Sequence, residues 1–210
     1  MNTGSEIILV HGLWFGAWAM ARLDRQLSKA GFRVRRFRYS STAGDLQAHA
    51  TQLQEFVVQS SSDQLHFLSH SLGGLVTLKM LSECKTLPPG RLVLLGSPLD
   101  GSVVARRSSR IPGAGKLLGK VRATLERGYK QLPDDRETGM IAGSRGFGLG
   151  MLVGGARKQS DGTVAINETM AEGLKDHFVL PVTHTGMLFS KEVARQAAAF
   201  FRNGSFDRTA

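Results

Sequence analysis

The 210-residue chain has a single cysteine, Cys84. An intrachain disulfide framework is therefore excluded, and the composition fits a reducing compartment. Long apolar runs are also missing. A membrane-spanning helix needs ~20 apolar residues, and the nearest approach, Gly146 to Ala156, is short and broken by five glycines. Met1 to Glu6 carry no signal-peptide pattern and lead straight into a strand-like run, so the expected location is cytoplasmic. No internal repeat or low-complexity linker marks a domain boundary, and one domain over residues 1–210 is expected. No His, Cys and carboxylate cluster at ligand spacing points to a metal. The glycine-rich stretch Gly146 to Gly155 lacks the Gly-Lys-Ser/Thr ending of a phosphate loop and reads as a flexible segment. No nucleic-acid module is recognisable, and no nucleic-acid partner is expected.

Acidic residues are the remaining shortage. Seventeen Asp and Glu face 27 Lys and Arg, a net charge of +10. Such a balance gives general affinity for polyanions. The hydrophobic fraction of 41% and charged fraction of 21% are ordinary for a globular chain of this length.

What is present is an alternation. Glu6 to Val10 is a continuous β-favouring run, the pattern of a strand buried on both faces. Met20, Leu23, Leu27 and Ala30 then recur at helical spacing, with Gly31 as the stop. Phe32 to Phe37 reads as a weaker, edge-like strand because of Arg35 and Arg36. Leu46, Ala50, Leu53 and Val57 line a second helix. Leu65 to Leu68 is a third strand and Leu72 to Cys84 a third helix. Further strands are expected at Arg91 to Leu95, Met140 to Ala142 and His177 to Leu180, before a final helix burying Val193, Ala197, Phe200 and Phe201. This order predicts an α/β fold of about six mostly parallel strands with helices on both faces. In such sheets reacting groups gather beyond the carboxyl ends of the strands. The piece from Gly101 to Thr138 reads as an inserted helical cap.

The most specific signal is Ser69-His70-Ser71-Leu72-Gly73-Gly74, between an apolar strand and a helix. A serine on a sharp strand-to-helix turn has its hydroxyl exposed as a nucleophile, and the turn demands small flanking residues. Gly73 meets that demand; on the other side Ser69 replaces the usual glycine. The Leu72 N–H begins the helix and points to the same space, making it an oxyanion donor. The N–H of Leu13, in the His11-Gly12-Leu13-Trp14 loop after the first strand, is the expected second donor. His11 reads as a structural residue of that loop. Trp14, Phe15 and Trp18 are either an apolar substrate wall or core.

The general base is expected at His184, in the loop after the last strand, and its orienting acid at Asp161, 23 residues earlier in an Asp-Gly turn. Asp100, after the fourth strand, is the alternative acid. His177 starts its strand and belongs at the opposite end of the sheet. His49, His66 and His70 read as structural.

These features, in this order, resemble the α/β-hydrolase superfamily, particularly its small lipases and esterases. The likeness runs from about residue 6 to 202 and includes the Gly-Ser-Pro stretch at 96–98. It looks like a trimmed version of the fold, with Ser69 as the one departure at the motif. The resemblance implies a triad of Ser71, Asp161 and His184, with Leu13 and Leu72 as backbone donors. The activity it implies is hydrolysis of a small-molecule carboxylic ester through an acyl-enzyme, without metal or cofactor. A thioesterase or acyltransferase could use the same triad, and a binding protein could keep the fold without the activity.

From Val103 to Lys130, eight Lys or Arg stand against the single acid Glu126. Leu117, Leu118, Val121 and Leu125 form an apolar stripe at helical spacing. The plain reading is a cap helix with a core-facing stripe and a solvated basic face. The alternative is peripheral contact with an anionic membrane.

Overall fold

The computed structural model describes residues 4–111, 114–146 and 159–209. Most of the glycine-rich segment Gly146 to Gly155 lies outside the described residues. The six strands are β1 (Ser5–Val10), β2 (Arg33–Phe37), β3 (Gln64–His70), β4 (Leu92–Leu95), β5 (Thr138–Gly143) and β6 (Asp176–Leu180). They form one sheet in the order β2-β1-β3-β4-β5-β6, and every pairing is parallel. The carboxyl ends of all six strands therefore share one edge.

The α-helices among the described residues are α1 (Ala21–Lys29), α2 (Leu46–Val57), α3 (Leu72–Glu83), α4 (Val103–Ser108), α5 (Ala114–Leu117), α6 (Arg122–Arg127) and α7 (Lys191–Asn203). Side chains along β1 alternate between two cores, as a strand's twofold period requires. Ile7 and Leu9 pack with α1 and α7 through Leu23, Leu27, Val193 and Phe200. Ile8 and Val10 join Leu53, Val57, Leu75 and Val76 of α2 and α3 on the other face. Helix starts follow local chemistry: Asp45 accepts from Ala48 N–H at 2.9 Å and Ser190 from Val193 N–H at 3.2 Å. No helix among the described residues is long and apolar enough to cross a membrane.

β2 lies at an edge, as its arginines suggested. The buried Glu6 carboxylate lies 3.3 Å from Arg33 Nε and 3.7 Å from an Arg35 nitrogen, and Arg36 pairs with Asp24 at 3.0 Å. Cys84 is a free, buried thiol.

The segment between β4 and β5 corrects one expectation. The proposed stripe is not a single helix face, because Gly119, at φ +60°, interrupts it and packs on the Thr42 carbonyl. Leu118, Val121 and Leu125 are buried against the α2/α3 core, whereas Leu117 is 63% exposed.

Candidate active site

Ser71 stands between the end of β3 and the first residue of α3, with φ 55° and ψ −123°. Trp14 is the other non-glycine residue at positive φ among the described residues. Such backbone angles cost a side-chain-bearing residue about 1–3 kcal/mol and persist only where the surroundings over-determine them. Here the surroundings do so. The Ser71 N–H donates to the Leu95 carbonyl at the end of β4, 2.9 Å away. A Cβ on Gly73 would lie 2.5 Å from the His11 carbonyl oxygen, so only glycine lets α3 approach the end of β1 this closely. The N-terminus of α3, with its unpaired amides and partial positive charge, begins at Ser71 itself.

Ser69 occupies the small-residue position without disturbing the turn. Thr77 Oγ1 donates its hydrogen to the Gly73 carbonyl at 2.9 Å, so Ser69 Oγ must be the donor in its 2.8 Å bond to Thr77. The hydroxyl that replaces a glycine hydrogen is thereby paired, fully buried, to the helix that follows the serine.

On the loop after β6, His184 is buried and its Nδ1 lies 2.6 Å from Asp161 Oδ2. A carboxylate accepts, so Nδ1 carries the proton and a neutral His184 presents Nε2 as a bare lone pair. Asp161 is itself fixed. Its Oδ1 accepts from Thr163 N–H at 2.9 Å and Val164 N–H at 2.7 Å, in a turn closed by the Ser160–Ala165 bridge. The Asp161 carbonyl accepts from His184 N–H at 2.9 Å, so the two residues are locked through backbone and side chain together. The pair packs over Gly96, where a Cβ would fall 2.9 Å from Asp161 Oδ2 and 3.2 Å from His184 Nδ1. Gly96 directly follows Leu95, which holds Ser71. The sequence-predicted acid and base are in contact, and both pack on Gly96, the residue after the one that holds the Ser71 N–H.

The loop after β1 closes the third side. Gly12 comes so close that a Cβ there would touch Ser71 Cβ at 3.0 Å, and Leu13 is the next residue. Tyr39 Oη donates to the His11 carbonyl at 2.8 Å, and Ser41 Oγ accepts from Trp14 N–H at 3.0 Å. Neither Tyr39 nor Ser41 was singled out from the sequence. Their one legible signal is position: both follow β2 at the carboxyl edge. Phe15 is partly buried against the α1/α7 core, while Trp14 and Trp18 are exposed.

The rival residues lie elsewhere. Asp100 is 53% exposed and pairs with Lys130 at 2.5 Å. His177 contacts Thr169 Oγ1 near the start of β6, and His66 Nδ1 accepts from Arg91 N–H at 2.9 Å. His11 stacks on Tyr39 and His49 meets the same ring edge-on. Burial lowers the pKa of each of these four imidazoles, that of His66 to about 4 with the Arg91 and Arg136 charges adding. Among the described residues no group of three or more His, Cys, Asp or Glu is arranged to hold a metal.

Comparison with solved structures gives the same architecture. A Bacillus licheniformis lipase in its mature form superposes with a TM-score of 0.78 at 18% identity, covering 96% of this chain and 92% of the lipase. A metagenomic carboxyl esterase gives 0.69 at 16% identity over 88% of this chain and 65% of its own. A Bacillus subtilis carboxylesterase gives 0.64 at 13%, over 97% and 85%. At these identities the likeness is one of fold. No curated protein matches the sequence significantly. The model of the alpha/beta hydrolase family matches residues 7–200. With the all-parallel sheet, the strained serine turn and the buried acid–histidine pair at its carboxyl edge, the chain belongs to the alpha/beta hydrolase family.

Proposed function

We propose that the protein hydrolyses carboxylic esters, with Ser71 as nucleophile, His184 as general base and Asp161 as the acid that orients it. The observation that carries this reading is the 2.6 Å bond from His184 Nδ1 to Asp161, which leaves Nε2 free to accept a proton. His184 Nε2 takes the Ser71 hydroxyl proton as Oγ attacks the ester carbonyl carbon. The developing oxyanion is received by the N–H groups of Leu13 and Leu72, each donor of this kind being worth about 3 kcal/mol in the transition state. The tetrahedral intermediate collapses as His184 passes the proton to the departing alkoxide, leaving an acyl group on Ser71. A water molecule, deprotonated by His184, then attacks that acyl carbon. The carboxylic acid departs and Ser71 recovers its proton.

The substrate is a small acyl ester, and the named functions of the structural neighbours, lipase and carboxylesterase, support that class. The first test is labelling with a fluorophosphonate probe, expected for the wild type and absent for Ser71→Ala. A graded series of nitrophenyl esters and matching thioesters then measures the leaving-group preference. An unlabelled, correctly folded wild type would remove the nucleophile, and thioester turnover far above ester turnover would replace the ester reading.

A further inference from the structure

The chain has two tryptophans, and both lie between β1 and α1, Trp14 on the loop and Trp18 in the short 3-10 helix Ala17–Met20. Trp14 is 50% and Trp18 68% exposed. Large aromatic side chains are normally buried for their apolar area, so two of them standing in solvent on one short connection need a reason. Trp14 is held there at a strained positive φ of 62°. Its indole Nε1–H donates to the Leu117 carbonyl at 2.8 Å. The one polar atom of the indole is thus already paired to protein, and the ring can enter an apolar medium without stranding a donor.

Leu117, the residue that accepts this bond, presents its own side chain outward. The neighbouring Lys116 and Lys120 are exposed. The segment Val103 to Lys130 that carries them holds eight basic residues and one acid. Apolar rings that favour the headgroup level, beside cations, match the chemistry of an anionic bilayer surface. The stripe of Leu118, Val121 and Leu125 plays no part in this surface, because it is buried in the core.

We propose that Trp14, Trp18 and Leu117, with Lys116 and Lys120 beside them, form a docking surface for an anionic lipid bilayer. The aromatic rings enter at headgroup depth and the lysines pair with lipid phosphates. Gly12, two residues from Trp14, abuts Ser71, so docking places the serine turn next to the lipid surface. The surface stands independently of the hydrolase reading, since Ser71→Ala leaves every one of these residues in place.

Both tryptophans belong to the surface, so their emission reports docking directly. Wild type and Ser71→Ala are titrated with vesicles of phosphatidylcholine alone and of equal parts phosphatidylcholine and phosphatidylglycerol, with co-sedimentation in parallel. The expected result is a blue shift of the emission and co-sedimentation with the anionic vesicles only, the same for both proteins. Paired substitutions Lys116→Glu and Lys120→Glu lower the partition at least about tenfold, and added salt weakens it. Trp14→Ala with Trp18→Ala removes co-sedimentation while circular dichroism stays unchanged. Equal binding to both vesicle types, binding to neither, or binding without movement of the emission would overturn the proposal. So would the same blue shift with a single-stranded oligonucleotide. The wild-type emission test needs no variant to fold, and a loss of ester hydrolysis does not alter it.

Discussion

The imidazole of His70 donates from Nε2 to the backbone carbonyl of His184 at 3.0 Å, and the two rings lie 4.6 Å apart. A carbonyl only accepts, so His70 carries its proton on Nε2, and its buried Nδ1 is left without a partner among the described residues. Burial, reinforced by the His184 ring, pushes its pKa well below the usual imidazole range, so it stays neutral. The residue before Ser71 thus fixes the backbone of His184.

Replacing His70 tests that link. His70→Phe keeps a ring but removes the donor, leaving a buried carbonyl unpaired at a cost of about 1–3 kcal/mol. We expect kcat to fall about tenfold or more, as the base loosens, with KM nearly unchanged. An unaltered kcat in a folded variant would confine His70 to a packing role.

The two candidate acids separate in one comparison. Asp161→Asn keeps the turn but loses the carboxylate that sets the His184 tautomer, and kcat should drop by about 10⁴. Asp100→Asn breaks only an exposed ion pair with Lys130 and should leave kcat within about twofold. Steady-state kinetics with a nitrophenyl ester decides between them; the reverse ranking would reassign the acid.

Ser69→Gly restores the more usual residue at the turn and removes one buried hydrogen bond. The expected loss of stability is about 1 kcal/mol, with activity retained within a few-fold. Urea denaturation and kinetics on the same preparation measure both. A large loss of activity would show that the Ser69–Thr77 bond sets the position of Ser71.

Acid should destabilise the protein through His66. Its folded pKa, about 4, lies below the unfolded value near 6.5, so the unfolded chain binds the extra proton first. The stability is complete above pH 6.5 and is lost as pH falls toward 4. At about 1.4 kcal/mol per pH unit, about 2 kcal/mol is gone by pH 5. His66→Asn, which can still accept from Arg91 N–H, should flatten the change in urea midpoint between pH 7.5 and 5. An unchanged slope would place the acid sensitivity elsewhere.

The strands and the serine turn were legible in the sequence because they rest on local chemistry. A run such as Ile7-Ile8-Leu9-Val10 has one comfortable environment, and Ser71 between a buried strand and a helix with Gly73 behind it leaves few alternatives. Asp161 and His184 were legible as candidates through their loops. What separated Asp161 from Asp100 was tertiary, because both follow strands at the same sheet edge and only the fold decides which carboxylate meets the imidazole. The stripe at 117–125 misled for a related reason: helical spacing assumes an unbroken helix, and Gly119 breaks it and turns Leu117 outward.

The sequence by itself determined the alternation of strands and helices and the turn that exposes one serine, since periodicity, small residues and glycine placement act within a few residues. Only the tertiary structure decided what meets across more than a hundred residues: His70 with His184, Trp14 with Leu117. Those contacts depend on sheet order and on how close backbones approach, quantities that no local stretch of chain encodes.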